Sequence, residues 1–297
     1  MAARWKRWIA LVGGLIAVAV AVVYALLIEP RRLLVETVEV QLDGWPEDAA
    51  AARVVLLADL HAGDRDGRWI KRIVQKTLEQ KPEVVLLLGD YHNAVNAGLS
   101  MPEEELAALL APLTAQCPVY YICGNHDQFE QARATRKAFV RHGIQPVEGK
   151  DVTLSFNNGR QAVLRGVAHR HEKESAGPML RRLSRKKLPP ALPLIAATHS
   201  PYHSIHNPLW AELTVTGHTH GGQFCWPGGY PIAVREPWTR ETARAGLRRS
   251  YTGQWLYVSR GLGVSSFPAR SFCAPEITLL LLRGSGKALQ LRGPRCD

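Results

Sequence analysis

The stretch VVLLADLH (residues 54–61) decides the fold. Val54–Ala58 is a short, continuous apolar run that stops at a polar cluster, the pattern of a strand buried on both faces. The same design returns in VVLLLGD (84–90) and in VYYICGNHD (119–127), where Val119–Ile122 is the apolar part. Between the runs, Trp69, Ile70, Ile73, Val74, Thr77 and Leu78 recur at helical spacing. Further helices are expected around Glu103–Leu113 and Phe129–Arg141. Strands alternating with helices build a parallel sheet, and ligands gather beyond the carboxyl ends of such strands. Here those ends are Asp59-Leu-His61, Gly89-Asp90 and Gly124-Asn-His-Asp127. Three polar clusters should therefore converge on one crevice.

Upstream, Val38, Val40 and Leu42 alternate with Glu39 and Gln41, so Val35–Leu42 reads as a strand with one solvated face. Gly44-Trp-Pro then turns the chain. The second half holds more β pattern: Val152–Phe156, Gln161–Val167, Leu194–Thr198, Leu213–Thr216, Trp255–Ser259, Ile277–Leu282 and Ala288–Leu291. Among these, Glu174–Lys187 reads as a short helix stopped by Pro189-Pro190. No fixed-period repeat or low-complexity tract divides residues 33–297, which are expected to form one α/β domain.

Ahead of that domain, Trp8–Ile28 is uncharged, WIALVGGLIAVAVAVVYALLI. A helix of that length just spans a bilayer core of ~30 Å. Ala-Val-Ala occurs at 17–19 and 19–21, as in a signal-peptide cleavage site, but apolar sequence runs well past both. The expectation is an uncleaved anchor over residues 1–32, with a transmembrane helix over about 8–28. That makes a single-pass protein of a bacterial inner or plasma membrane. Three basic residues before the span against two after it incline towards an outside domain. The cysteines incline the other way: Cys117, Cys123, Cys225, Cys273 and Cys296 are odd in number and show no C-x-x-C spacing. Neither a disulfide framework nor a zinc ribbon is expected. The side of the membrane stays open.

The net charge of +11 is less telling than it looks. Arg4, Lys6, Arg7, Arg31 and Arg32 against Glu29 put +4 at the flanks of the apolar span. The remaining +7 is too dilute for a nucleic-acid arm, and no nucleic-acid partner is expected. With 46% apolar and 21% charged residues, a disordered chain is excluded.

Of eleven histidines, five fall in the polar clusters. In chain order the clusters are Asp59-x-His61, Asp90, Asn125-His126-Asp127, His199 and His218-x-His220. Carboxylate, imidazole and amide oxygen without thiol suit hard to borderline divalent ions such as Mn²⁺, Fe or Zn²⁺. Seven candidate ligands exceed the needs of one ion, whereas two ions sharing a bridging carboxylate would use them all. Two ions at about 3.5–4 Å stabilise both the attacking and the leaving oxygen of an in-line phosphoryl displacement.

The succession D-x-H, G-D, G-N-H-D, H and G-H-T-H resembles the calcineurin-like metallophosphoesterase superfamily. GHTHGGQ (217–223), LYVSRGLG (256–263) and PARSFCAPEITLL (268–280) are similar to its membrane-associated YkuE/YaeI-like branch, which includes UDP-2,3-diacylglucosamine pyrophosphatases. The resemblance runs from about Val54 to Leu282. It implies a four-layer α/β/β/α sandwich of two mixed sheets after the anchor, with residues 33–297 as the catalytic domain. It implies that Asp59, His61 and His220 hold one metal, that Asn125, His199 and His218 hold the other, and that Asp90 bridges. A hydroxide between the ions would attack phosphorus, His126 would contact the phosphate and stabilise or protonate the leaving oxygen, and Asp127 would orient His126. Gly89-Asp90 is followed by Tyr91-His-Asn, without the D-R-G run of Ser/Thr protein phosphatases, which argues against a phosphoprotein substrate.

The expected activity is hydrolysis of a phosphodiester or pyrophosphate at a membrane, on a lipid-linked or nucleotide diphosphate substrate. UDP-2,3-diacylglucosamine, in lipid A biosynthesis, is the substrate that the branch supplies. Two alternatives are an extracytoplasmic phosphodiester substrate and a catalytically silent metal-binding scaffold. Finally, MLRRLSRKKL (179–188) sets an apolar stripe among five cationic residues, as a helix packed on the core or one lying on anionic lipid would.

Overall fold

The computed structural model describes residues 2–47, 50–93, 97–127, 129–167, 192–202, 211–234, 239–250 and 253–287. The expected helix over 174–187, with its basic stretch, and the strand over 288–291 lie outside the described residues.

Helix α1 (Ala2–Val23) continues through a wider turn, Tyr24–Ile28, and a tight one, Glu29–Arg31. Within the run Arg4–Arg31 an 18-residue window has a mean hydropathy of 2.8 and none of that window is buried, so among the described residues this one helix is long and apolar enough to cross a membrane. Its end is fastened to the rest of the chain. The Arg31 and Arg72 guanidiniums lie 5.4 and 5.7 Å from the centroid of the Trp69 ring, and Arg31 pairs with Asp66 at 3.1 Å. The backbone N–H of Arg270 donates to Ala25 O at 2.9 Å.

Two six-stranded mixed sheets follow. The first runs β1 (Leu34–Leu42), β14 (Glu276–Gly284), β2 (Ala52–Leu57), β3 (Val84–Leu87), β4 (Val119–Tyr121) and β5 (Gln145–Pro146). Strands β2 to β5 are parallel; β14 is antiparallel to β2 and parallel to β1. The second runs β12 (Gly246–Arg249), β13 (Trp255–Val258), β9 (Leu213–Thr216), β8 (Leu194–Thr198), β7 (Gln161–Val167) and β6 (Asp151–Ser155). Only its edge pairs, β12 with β13 and β6 with β7, are antiparallel. A small hairpin pairs β10 (Cys225–Trp226) with β11 (Tyr230–Pro231).

Side-chain alternation sorts the layers, because successive residues of a strand point to opposite faces. Val55, Leu57, Val85, Leu87 and Tyr121 face α2 (Gly67–Glu79), α3 (Glu103–Thr114) and α4 (Phe129–Arg141). Their neighbours Val54, Leu56, Val84 and Leu86 pack with Leu164, Ile195, Ala197, Leu213 and Val215 of the second sheet. That gives helices, sheet and sheet in order. On the outer face of the second sheet, Val163, Val167, Leu194 and Ala196 form a third apolar cluster. The helical layer expected over it falls on residues outside the described ones. The described residues form an α/β fold with two mixed sheets back to back, as the resemblance implied.

Candidate metal centre

Every proposed ligand sits on the turn leaving a strand. Asp59 and His61 follow β2, Asp90 follows β3, Asn125 to Asp127 follow β4, His199 follows β8, and His218 and His220 follow β9. Among the described non-glycine residues with positive φ are Asp59 (52°), His61 (42°), Asp90 (56°), His218 (72°) and His220 (52°). Such left-handed backbone costs free energy unless its surroundings hold it, and it clusters where side chains must be aimed. Gly124 is required by close approach: a Cβ there would overlap the Asp90 carboxylate. At Gly89, φ is +93° and a Cβ would lie 2.5 Å from Gly124 N.

These turns assemble two sets of ligand atoms. Asp59, His61 and His220 form one, Asp90, His199 and His218 the other, and within each set the atoms lie within 4.8 Å of one another. In the first, His61 Nε2 lies 3.1 Å from His220 Nε2, and the two rings stack at 5.0 Å. In the second, His199 Nε2 faces Asn125 Oδ1 at 3.0 Å, His218 Nδ1 at 3.1 Å and Asp90 Oδ2 at 3.3 Å. Asp90 Oδ2 also lies 3.6 Å from His61 Nε2, so this carboxylate stands between the sets.

The donor chemistry fits a cation at each set. His61 Nδ1 donates to His92 O at 2.8 Å and His199 Nδ1 to Leu88 O at 2.7 Å, which turns Nε2 of both rings towards the centre. Carbonyl partners of this kind fix the orientation of metal-ligating imidazoles. One imidazole hydrogen on His199 cannot serve three acceptors at once, whereas a divalent ion can. Both sites lack thiols, as oxygen- and nitrogen-seeking ions require.

Electrostatics separates the roles. Burial lowers the His61 imidazole to about 4, so it is neutral at physiological pH and available as a ligand. Burial also holds His220 well below its usual value, helped by His61 and by the Arg270 guanidinium. Burial pulls down His199 as well, but Asp90, together with Asp59 and the Leu88 carbonyl, outweighs it and raises the ring to about 9. Conversely, burial works against the Asp90 carboxylate, yet His199, His61 and His126 together keep it ionised and well below the usual range. Asp59 is pushed up to about 7, by burial first and by Asp90 in addition.

The resemblance implied that Asp127 orients His126. Instead, Asp127 Oδ2 accepts the N–H of Asp90 (2.6 Å) and Gly124 (2.9 Å), and Oδ1 accepts that of Tyr91 (2.8 Å). It clamps two of the turns together through backbone amides. The His126 backbone N–H donates to Asp90 Oδ1 at 2.9 Å, and its ring meets His61 edge-on at 5.2 Å. Sequence reading missed Arg270. This fully buried guanidinium places Nη2 3.2 Å from His220 Nδ1 and donates to Arg260 O, Gly263 O and Cys273 O. Its signal lay in PARSFC, a charged residue inside an otherwise apolar motif. His142 pairs with Glu104 at 2.9 Å, far from the site. His92 meets it through its carbonyl and through ring Nε2, which lies 3.9 Å from Asp127 Oδ1 and 3.0 Å from Thr135 Oγ1. His169, His171, His203 and His206 lie outside the described residues. Cys117, Cys123, Cys225 and Cys273 are free thiols.

A double-sheet α/β fold with carboxylate and imidazole sets at converging strand ends defines a dimetal-type hydrolase centre. The comparisons with known proteins agree. The family model for calcineurin-like phosphoesterase matches residues 52–222, and the chain belongs to that family. It is 30% identical over 261 residues to "Phosphodiesterase YaeI" of Escherichia coli (strain K12), covering 83% of this chain and 88% of that one. It is 27% identical over 271 residues to the uncharacterized metallophosphoesterase YkuE of Bacillus subtilis (strain 168), covering 88% and 90%. A transmembrane protein with metallophosphoesterase domain from Danio rerio is 25% identical over 288 residues; the match covers 91% of this chain and 62% of that longer protein. The chain is thus a metal-dependent phosphoester hydrolase with two candidate metal sites.

Proposed function

We propose that the chain is a two-metal phosphodiesterase or pyrophosphatase, tethered by residues 1–32 to a bacterial inner or plasma membrane, with residues 33–297 as its catalytic domain. The observation that carries this reading is Asp90 standing between the two ligand sets, 3.6 Å from His61 Nε2 and 3.3 Å from His199 Nε2. Asp59, His61 and His220 would hold one ion, Asn125, His199 and His218 the other, and Asp90 both. Bound there, two divalent ions (Mn²⁺, Fe or Zn²⁺) supply an activated water and neutralise charge at phosphorus.

The chain's own groups do the rest. The buried, neutral imidazoles of His61 and His220 present their Nε2 lone pairs inward without reorganisation. Asp127 keeps the turns after β3 and β4 in register. His126, at the rim of the first set, is placed to donate a proton to the leaving oxygen. The test is hydrolysis of bis(p-nitrophenyl) phosphate by the full-length protein in detergent with Mn²⁺. Wild type should cleave it and Asp90→Ala should not; a fully active Asp90→Ala protein overturns the two-metal reading.

The substrate we favour is an amphiphilic phosphoester, because a tethered site meets lipid-borne molecules at high local concentration. Within that class, UDP-2,3-diacylglucosamine follows from the sequence resemblance and requires a cytoplasmic-facing site. Release of UMP from this lipid in mixed micelles supports it. Cleavage of the soluble diester without UMP release removes that substrate, as does a reporter fused after Asp297 that reads an extracytoplasmic terminus.

A further inference from the structure

Among the described residues, the large hydrophobic side chains left exposed outside the N-terminal helix are Val35, Leu99, Val140, Trp226, Phe267 and Phe272. The three aromatics are 57%, 55% and 54% exposed and fall in two segments bonded to each other. Cys225 N–H donates to Ser271 O at 2.8 Å, Ser271 N–H to Gln223 O at 3.1 Å, and the Phe224 and Phe267 rings lie 6.2 Å apart. Water disfavours such a grouping, whereas the headgroup region of a bilayer accommodates aromatic rings well.

What lies beside these aromatics is the end of the apolar helix. Between Phe267 and Phe272, Arg270 N–H donates to Ala25 O at 2.9 Å. Ala25 precedes Ile28, the last uncharged residue of the apolar stretch, by three positions, about 5 Å along a helix. The segment from Phe267 to Phe272 therefore touches the helix at the level where apolar sequence gives way to charge. Beyond that level come Glu29, Arg31 and Arg32.

The same segments bond to one of the candidate ligands, His220. Gln223 Nε2 donates to Ser265 O at 3.0 Å and Phe267 O at 2.9 Å, and Gln223 N–H donates to His220 O at 3.0 Å. Cys273 Sγ donates to His220 O at 3.2 Å, and Arg270 reaches the His220 ring. Rim and ligand are one hydrogen-bonded unit.

We infer that Trp226, Phe267 and Phe272 form a membrane-facing rim that sits among phospholipid headgroups and holds the metal centre against the bilayer surface. The inference rests on the membrane-anchor reading above and deepens it. The site then works on a phosphoester whose acyl chains stay in the bilayer while its polar part reaches the ions.

The test places the photoreactive p-benzoylphenylalanine at one position at a time in the full-length protein: Phe267, Phe272, Val18 or Val140. Val140 is a similarly exposed residue near the end of α4, and α4 leads into the start of β5, at the opposite end of the first sheet from the site. The protein is reconstituted in phosphatidylethanolamine–phosphatidylglycerol vesicles, irradiated and examined by mass spectrometry. Lipid adducts are expected at 267, 272 and 18, with none above background at 140. Adducts at 18 without adducts at 267 and 272 overturn the rim and leave the anchor standing. Adducts at 267 and 272 without adducts at 18 support the rim and overturn the anchor. Absence of adducts at all three positions overturns both.

Discussion

Asp127 Oδ2 accepts the backbone N–H of Asp90 at 2.6 Å, tying the turn that carries the central carboxylate to the turn that carries Asn125 and His126. Because the same carboxylate also takes the amides of Gly124 and Tyr91, Asp127→Ala would leave three buried donors without an acceptor. Each orphaned donor costs about 1–3 kcal/mol. A loss of several kcal/mol should appear as a lowered denaturant midpoint with an unchanged slope. If Asp127 acted on the His126 ring alone, the substitution would instead change the pH–rate profile at nearly unchanged stability.

His126 should be separable from metal binding. Its backbone amide holds Asp90, but its ring is not among the ligand atoms gathered at either set. His126→Ala therefore keeps its metal content and loses catalysis by about 10²–10⁴-fold, the usual worth of a positioned general acid. The loss should shrink for a diester whose leaving group needs no proton. A variant that loses metal along with activity would make His126 a ligand.

Metal binding should depend on pH with a definite sign. In the metal-free protein Asp90, together with Asp59 and the Leu88 carbonyl, raises His199 to about 9, so a proton occupies that ring at pH 7 and an incoming ion must displace it. Affinity at the second set should climb between about pH 7 and pH 9, with proton release detectable in weakly buffered titrations. The sign for stability follows from the same shift. A histidine raised above its unfolded value of about 6.5 contributes stability that is fully present below that value and lost as pH rises through about 9. His61, lowered to about 4, acts oppositely: its term is lost as pH falls from about 6.5 towards 4.

In the helix–sheet layer, Ile73 of α2 is fully buried among Val55, Leu57 and the α3 side chains. Ile73→Ala should cost about 2–5 kcal/mol, as truncations in close-packed cores do. Urea unfolding reads this directly, and metal stoichiometry should stay intact because the helix lies behind the sheet.

Much of this architecture is legible in the sequence for a physical reason. Strands buried on both faces must be continuously apolar, so Val54–Ala58 and Val84–Leu88 announce β2 and β3 to within two residues at either end. Ligands must sit where strands end, so D-x-H, G-D and G-N-H-D mark the crevice. The rest depends on partners distant in sequence. β5 is only Gln145–Pro146, and β12 is the polar Gly246–Arg249; each is a strand because a neighbour supplies its hydrogen bonds. The parallel pairing of β1 with β14 joins opposite ends of the chain and leaves no local trace. Asp127 illustrates the limit at the site itself. Its residue type and place in G-N-H-D are visible, but that it takes three backbone amides emerges only once two turns meet.

The central claim is a paired metal centre that hydrolyses phosphoesters. It is tested most directly by stripping the full-length protein of metal and titrating Mn²⁺ back, reading bound metal by elemental analysis and hydrolysis of bis(p-nitrophenyl) phosphate on the same samples. A two-ion centre gives activity that rises with loading and reaches its plateau as the second equivalent binds, and Asp90→Ala fails on both readouts. Full activity in the stripped protein, or a plateau with a single equivalent bound, would contradict it.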